Sequence, residues 1–270
     1  MPEPTALSES LSDLMRDLSV IYARELEELA KRASEVEQPG WLWGILLESW
    51  STLGGSRGFD GLMTPANLRV LAYRRLRKLS TEERRGQAEE IFRTASVRYP
   101  AQKAGWLAQA VDLVATLGGP DKARDALLAC DGGAAKTRFL RQFPGIGPKY
   151  ARNIMMTIID PDFRDSIAVD QRIMKVAAAI GLPAGRAEIE RYFLDVAARA
   201  GVAGWQVDRL LYGHTDEVLA ALSGRAGVAR RRVVRVRELA AEIGDDLGLD
   251  DEARAALSAV LERHAGEVIG

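Results

Sequence analysis

The chain of 270 residues is long enough to bury one large core or two closely packed halves. Lys and Arg total 37 against 38 Asp and Glu, a net charge of −1, so global charge does not recruit a polyanion and any nucleic-acid contact must rest on local patches. Cys130 is the only cysteine, which excludes an internal disulfide and a cysteine-rich metal site; His214 and His264 are too few and too far apart for zinc. No apolar run reaches the length of a membrane span and the N-terminus has no signal-peptide pattern, so the expectation is a cytoplasmic protein with no membrane, metal or cofactor.

In chain order, residues 5–36 read as one long charged amphipathic helix, with Leu11, Leu14, Leu18, Ile21, Leu26 and Leu29 as its apolar positions and Gln38-Pro39-Gly40 as its end. Trp41 to Leu53 is strongly apolar and predicts a buried helix, followed by the flexible loop Gly54-Gly55-Ser56-Arg57-Gly58. Thr64-Pro65 starts another helix, and Ser80-Thr81-Glu82-Glu83 is a capping box. Two helices over 102–117 and 121–130 are separated by Gly118-Gly119-Pro120; Cys130 is a small core residue at the end of the second. Beyond Asp170, helices are predicted at 171–180, 184–200 and 204–222. No strand alternation or solenoid repeat is evident, so the chain reads as all-α. Gly224 to Gly227 looks like a linker, followed by the basic run Arg230 to Arg237 and an acidic stretch from Asp245 to Glu252.

The segment Phe139 to Asp170 organises the rest. Phe143-Pro144-Gly145-Ile146-Gly147 is a tight turn between two helical patterns, because its glycines tolerate the positive φ of a short hairpin. Gly147 is an acceptable N-cap and Pro148 suits the first helical position. The second helix thus opens with unpaired N–H groups at a positive dipole end, which suits the phosphate of a nucleic acid. Ala151, Ile154, Met155 and Ile158 carry the inward face. Lys136, Arg138 and Arg141 on the first helix add local positive charge. A plain helical hairpin is the bland alternative for the turn, and a solvated face for the cations.

With these residues in view, FPGIGPKYARNI resembles the hairpin of the helix-hairpin-helix DNA glycosylases, the endonuclease III type in particular, and SIAVDQRIMKV resembles the segment that carries their catalytic aspartate. GWQVDRLLYGH is similar to a late helix of that family. The resemblance covers roughly Trp41 to Leu222 and is strongest from Phe139 to Val176. It implies two helical subdomains with an active-site cleft between them. Segments 1–40, 41–223 and 224–270 are then an N-terminal helix, the glycosylase core with its hairpin at 134–159, and a basic-then-acidic helical extension. The four cysteines of the family's iron–sulfur cluster are absent, which places the chain with cluster-free branches. The family often has Thr-His or Val-His after the aspartate; here Gln171-Arg172 follows, which puts base preference in doubt more than the reaction.

The resemblance implies a substrate of double-stranded DNA with a damaged or modified base, acted on in base excision repair by a monomer. The base is extruded and its bond to deoxyribose breaks through an oxocarbenium-like transition state. Asp170 would stabilise that charge. Lys149, in the first helical turn, is the lysine that marks the bifunctional glycosylase/AP-lyase branch; a helix N-terminus and partial desolvation disfavour its ammonium, as a Schiff-base nucleophile requires. Phe143, Gly145, Ile146, Gly147, Arg57 and Arg141 are the DNA-contact candidates, and Trp50, Tyr150 and Tyr212 the candidates for base pocket or wedge, with Trp205 beside Tyr212. Asp170 also makes a good N-cap, Trp50 fits a core like Trp41 and Trp43 somewhat better than a wedge, and Asp162 and Asp165 compete for the carboxylate role. A monofunctional glycosylase that uses water, and a non-catalytic hairpin protein that binds DNA, are the alternatives.

Overall fold

The computed structural model describes residues 4–182, 185–223, 243, 245–254, 256–257 and 260. The linker at 224–227 and the basic run 230–237 lie outside the described residues. Every regular element among the described residues is helical, as expected. In chain order they are α1 (Pro4–Ile21), α2 (Ala23–Lys31), α3 (Trp41–Thr52), α4 (Phe59–Leu62), α5 (Pro65–Val70), α6 (Tyr73–Leu76), α7 (Thr81–Thr94) and α8 (Pro100–Thr116). These are followed by α9 (Pro120–Leu128), α10 (Gly132–Leu140), α11 (Pro148–Thr157), α12 (Gln171–Ala179), α13 (Arg186–Ala200), α14 (Gly204–Gly213) and α15 (Thr215–Leu222).

The chain divides into two compact units. One joins Met1–Glu27 to Asp165–Gly270, and the other is the continuous segment Glu28–Arg164. In the discontinuous unit, α1 packs on α13 and α14, and α12 packs on α14 and α15. Two helices expected to be continuous are broken here. The helix over 5–36 interrupts at Tyr22 and finishes as a 3-10 turn at Arg32–Glu37; the helix over 204–222 interrupts at His214. The two breaks meet. The Tyr22 and His214 rings stack at 3.6 Å between centroids, the Tyr22 hydroxyl donates to Glu217 (2.7 Å), and His214 Nε2 lies 3.1 Å from Glu25. Helical propensity yields here to a contact between residues far apart in sequence.

In the continuous unit, α3 has apolar residues around most of its circumference, and Leu42, Leu46, Leu47 and Trp50 are buried. It packs on α9, while α7 and α8 run along each other. The Ser80 capping box forms as its spacing predicts: Ser80 N donates to Glu83 (2.8 Å) and Ser80 Oγ accepts from Glu83 N (3.3 Å).

Two lysines are buried in this unit, with opposite electrostatics. Lys136 was expected to add surface charge beside the hairpin. Instead its Nζ sits between Asp160 (2.7 Å) and Asp162 (2.8 Å), tying α10 to the turn after α11. Burial works against this ammonium, but the two carboxylates outweigh it and raise its pKa. Lys103, on α8, is 0% exposed and donates to the Leu53 carbonyl at 2.6 Å, just past the end of α3. No carboxylate pairs with it among the described residues. Burial, with the nearby charge of Arg98 adding to it, brings this ammonium down from 10.5 to about 8. A lysine depressed in the fold binds its proton less tightly than in the unfolded chain. Its charge therefore opposes folding below about 8, and the opposition fades as pH rises towards 10.5. Thermal melts should show the parent gaining stability over that window relative to Lys103→Met, which lacks the titrating group.

Candidate functional site

The hairpin joins α10 to α11 through a turn closed by Phe143 N to Leu140 O and Ile146 N to Phe143 O, both 3.1 Å. Phe143 and Ile146 are 1% and 4% exposed, so as side chains they anchor the turn inward and do not reach a ligand. What the turn offers outward at these positions is therefore backbone and not side chain. The Gly145 and Gly147 amides take no acceptor among the described residues.

The two glycines do different work. Gly145 has φ +81°, and a Cβ there would lie 2.5 Å from the Trp106 ring, so both backbone and packing require glycine. Gly147 is extended (φ −85°, ψ 177°), N-caps α11, and has nothing within 4 Å of where a Cβ would sit. The approach to the start of α11 is thus open at Gly147 and sealed at Gly145. Lys149 follows in the first turn of α11, half-exposed, with its Nζ 4.9 Å from the centroid of the Tyr150 ring. The face of that ring attracts an ammonium.

Trp50 does not form a wedge in this structure. It is 0% exposed, and its indole Nε1 donates to the Pro144 carbonyl at 2.9 Å. It fastens the hairpin turn to α3. Arg57, in a 3-10 turn at Ser56–Gly58, and Arg141, at the C-cap of α10, are exposed and form no ion pair among the described residues. Tyr99 was missed from sequence. Its ring is 59% exposed beside Gly54, and its backbone is left-handed (φ 58°, ψ 52°). Arg98 lies against Gly55 in the same place. A non-glycine residue in that conformation leaves no trace in composition or periodicity.

Asp170 belongs to the other unit. Its Oδ1 accepts from Arg172 N (2.9 Å) and Ile173 N (3.1 Å), N-capping α12. Oδ2 takes no hydrogen bond among the described residues. The approach Ile167-Ala168-Val169 is buried, as expected. Asp208, 3% exposed on α14, accepts from Ala168 N at 2.7 Å, and Arg186 donates to the Val169 carbonyl. Sequence reasoning passed over Asp208; its one signal was a place in the run GWQVD. Arg172 reaches back over Tyr212, its guanidinium 4.2 Å from the ring centroid and its Nη1 donating to the Tyr212 carbonyl (2.8 Å). Tyr212 is 40% exposed, whereas Trp205 is buried. The competing aspartates are engaged in packing: Asp162 with Lys136, and Asp165 with Gly204 N (3.2 Å).

The structure thus brings together Trp50, Gly145, Gly147, Lys149 and Tyr150 around one turn. Asp170, Arg172 and Tyr212 cluster around the start of α12. Among the described residues no cluster of His, Cys, Asp and Glu has the make-up of a metal site, and no helix is long and apolar enough to cross a membrane.

No protein-family profile matches the chain, and no curated protein matches it. Among solved structures, the crystal structure of the 8-oxoguanine DNA glycosylase of Thermotoga maritima matches 75% of this chain and 95% of that one, with a TM-score of 0.54 and 19% identity. The chain has the helix-hairpin-helix glycosylase fold. The match spans nearly the whole of that enzyme, so the fold is shared as a complete scaffold and not as an isolated hairpin.

The glycine asymmetry is directly testable. Gly145→Ala should destabilise the protein by at least about 2 kcal/mol, from a left-handed Cβ driven into an aromatic ring. Gly147→Ala should cost only about 1 kcal/mol, the loss of a tolerable N-cap. Equal losses in denaturant melts would overturn this account of the turn.

Proposed function

We propose that the protein is a DNA glycosylase that excises a damaged or modified base from duplex DNA and then nicks the strand as an AP lyase. The observation that supports this most is the Gly145-Ile146-Gly147-Pro148-Lys149 turn. The approach to the start of α11 is open at Gly147 and the lysine stands in the first turn of that helix, on a fold shared over 75% of this chain with an 8-oxoguanine DNA glycosylase.

In this reading the hairpin amides, Arg57 and Arg141 hold phosphates, and Tyr99 takes the wedge role that a buried Trp50 leaves unfilled. The bond from C1′ to the base breaks, and its electron pair leaves with the base, which is protonated. The Asp170 carboxylate opposes the positive charge that develops on the sugar. Neutral Lys149 attacks C1′ through Nζ, and the ring-opened sugar becomes a Schiff base. Loss of the C2′ proton then expels the 3′-oxygen and cuts the strand. Arg172 and Tyr212 provide a stacked aromatic-cationic surface beside Asp170 that suits an extruded base. 8-Oxoguanine is the first lesion to test, by analogy with the neighbour of the same fold.

Borohydride reduction during turnover on lesion-containing duplex should trap a covalent adduct in the parent and none in Lys149→Gln. A variant that traps and nicks as well as the parent sinks the nucleophile assignment. Base release without nicking decides for water as nucleophile.

Asp170→Asn keeps an N-cap side chain of nearly the same shape, so its melting temperature should stay within a few degrees. Its base release should fall by at least about 100-fold. A single-turnover assay with parental rates would return Asp170 to a purely capping role.

A further inference from the structure

The continuous unit carries a cationic feature that the hairpin chemistry does not use. Between Asp60 and Glu82 the sequence has no acidic residue, yet it contains Arg69, Arg74, Arg75, Arg77 and Lys78. All five side chains are exposed, and none forms an ion pair among the described residues. Elsewhere arginines commonly have a carboxylate at hand: Arg16 with Asp13, Arg32 with Glu48, Arg93 with Glu89, Arg124 with Asp125, Arg199 with Asp195. What sets this segment apart is the run: five exposed cations within ten residues, with no acidic residue among them.

Its mount is rigid. The single turn of α6 buries Tyr73 and Leu76 at i and i+3, so Arg74, Arg75, Arg77 and Lys78 fall on its outer side. The Leu71 carbonyl just before it accepts from Trp43 Nε1 at 2.8 Å, and the Tyr73 ring packs on Trp43 with centroids 5.7 Å apart. The Leu76 carbonyl at its end accepts from Arg84 Nε at 2.9 Å, and Arg84 is neutralised by Asp112 at 2.5 Å. One arginine of the region is thus spent, with its own counter-ion, on fixing the turn from which four unpaired cations project. Holding like charges together costs free energy unless an anion neutralises them.

The same helix mounts this turn and the hairpin. Trp43 and Trp50 stand seven residues apart on α3, within about 20° of one face and about 10 Å along the axis. Their rings pack edge to face at 6.2 Å. One indole holds the Leu71 carbonyl and the other the Pro144 carbonyl. The basic turn and the glycine turn are therefore neighbouring fixtures on one support.

We propose that the α5–α6 turn is a second phosphate-binding surface, which holds duplex DNA through Arg74, Arg75, Arg77 and Lys78 independently of sequence and lesion. This rests on DNA as the substrate class of the proposed function. Arginine on a fixed turn suits phosphate geometry, and a duplex carries one charge per about 1.7 Å of axis, so several phosphates lie within reach of one helical turn. The surface supplies locally the attraction that a net charge of −1 withholds globally.

The test is equilibrium binding to undamaged duplex over a salt series, for the parent and for the variant Arg74→Ala/Arg75→Ala/Arg77→Ala/Lys78→Ala, with thermal melts confirming the fold. The variant should bind at least about 10-fold more weakly near 0.1 M salt, and its log–log salt slope should shrink by about one unit per cation that meets a phosphate. The charge-keeping variant Arg74→Lys/Arg75→Lys/Arg77→Lys should retain most of the slope. Parental affinity and slope in the alanine variant overturn the proposal while leaving the glycosylase reading intact, provided the parent binds duplex. A parent that binds no duplex overturns both. Patch-dependent binding of polyglutamate, with duplex binding unaffected by the substitutions, assigns the surface to an acidic protein segment and overturns the DNA assignment.

Discussion

The hydrogen bond from the Trp50 indole to the Pro144 carbonyl is the contact on which the hairpin depends. A trans peptide points its C=O and N–H in opposite directions, so drawing the Pro144 oxygen towards α3 turns the Gly145 N–H away from it. The Trp106 ring closes the other side of Gly145 so tightly that only a hydrogen fits. Phe143 and Ile146 then bury the turn's two bulky side chains. The backbone of the turn is thus held from behind by two tryptophans on two helices, and its donors are ordered before any ligand arrives. Each such bond contributes only about 1 kcal/mol net.

Charge in this protein is arranged by place and not by sum. The two buried lysines serve the scaffold: Lys136 clamps two aspartates, and Lys103 caps the end of α3 with no carboxylate paired to it among the described residues. The exposed arginines at Arg57, Arg141 and the α6 turn form no ion pair among the described residues.

What was legible in the sequence was local. The glycine turn, the proline at the start of α11, the Ser80 capping box and the Asp170 N-cap each follow from residues within four positions of one another, and all appear where their spacing puts them. The helical character and most helix ends were also readable. What escaped depends on distant partners. Trp50 finds its acceptor 94 positions along the chain, so an apolar run with three tryptophans could not say which one faces the hairpin. Lys136 looked like surface charge because Asp160 lies 24 positions away. The breaks at Tyr22 and His214 arise from a stack that helical periodicity cannot foresee. Tyr99 is exposed by a backbone conformation that its residue type rarely adopts.

The division of the chain also sets an order of assembly. The unit that carries the hairpin is the continuous segment Glu28–Arg164, so all of its own residues have been synthesised before residue 165. The unit that carries Asp170 closes Met1–Glu27 onto Asp165–Gly270, so its first helix must wait through more than half of translation for α13 and α14. Joining such distant segments is the slower step, because loop closure precedes the contacts that reward it. On the ribosome, all residues of the hairpin's own unit are therefore present before Asp170 is made. The nascent chain thus passes through a stage at which the whole hairpin unit is available to fold while the other unit still lacks its larger half.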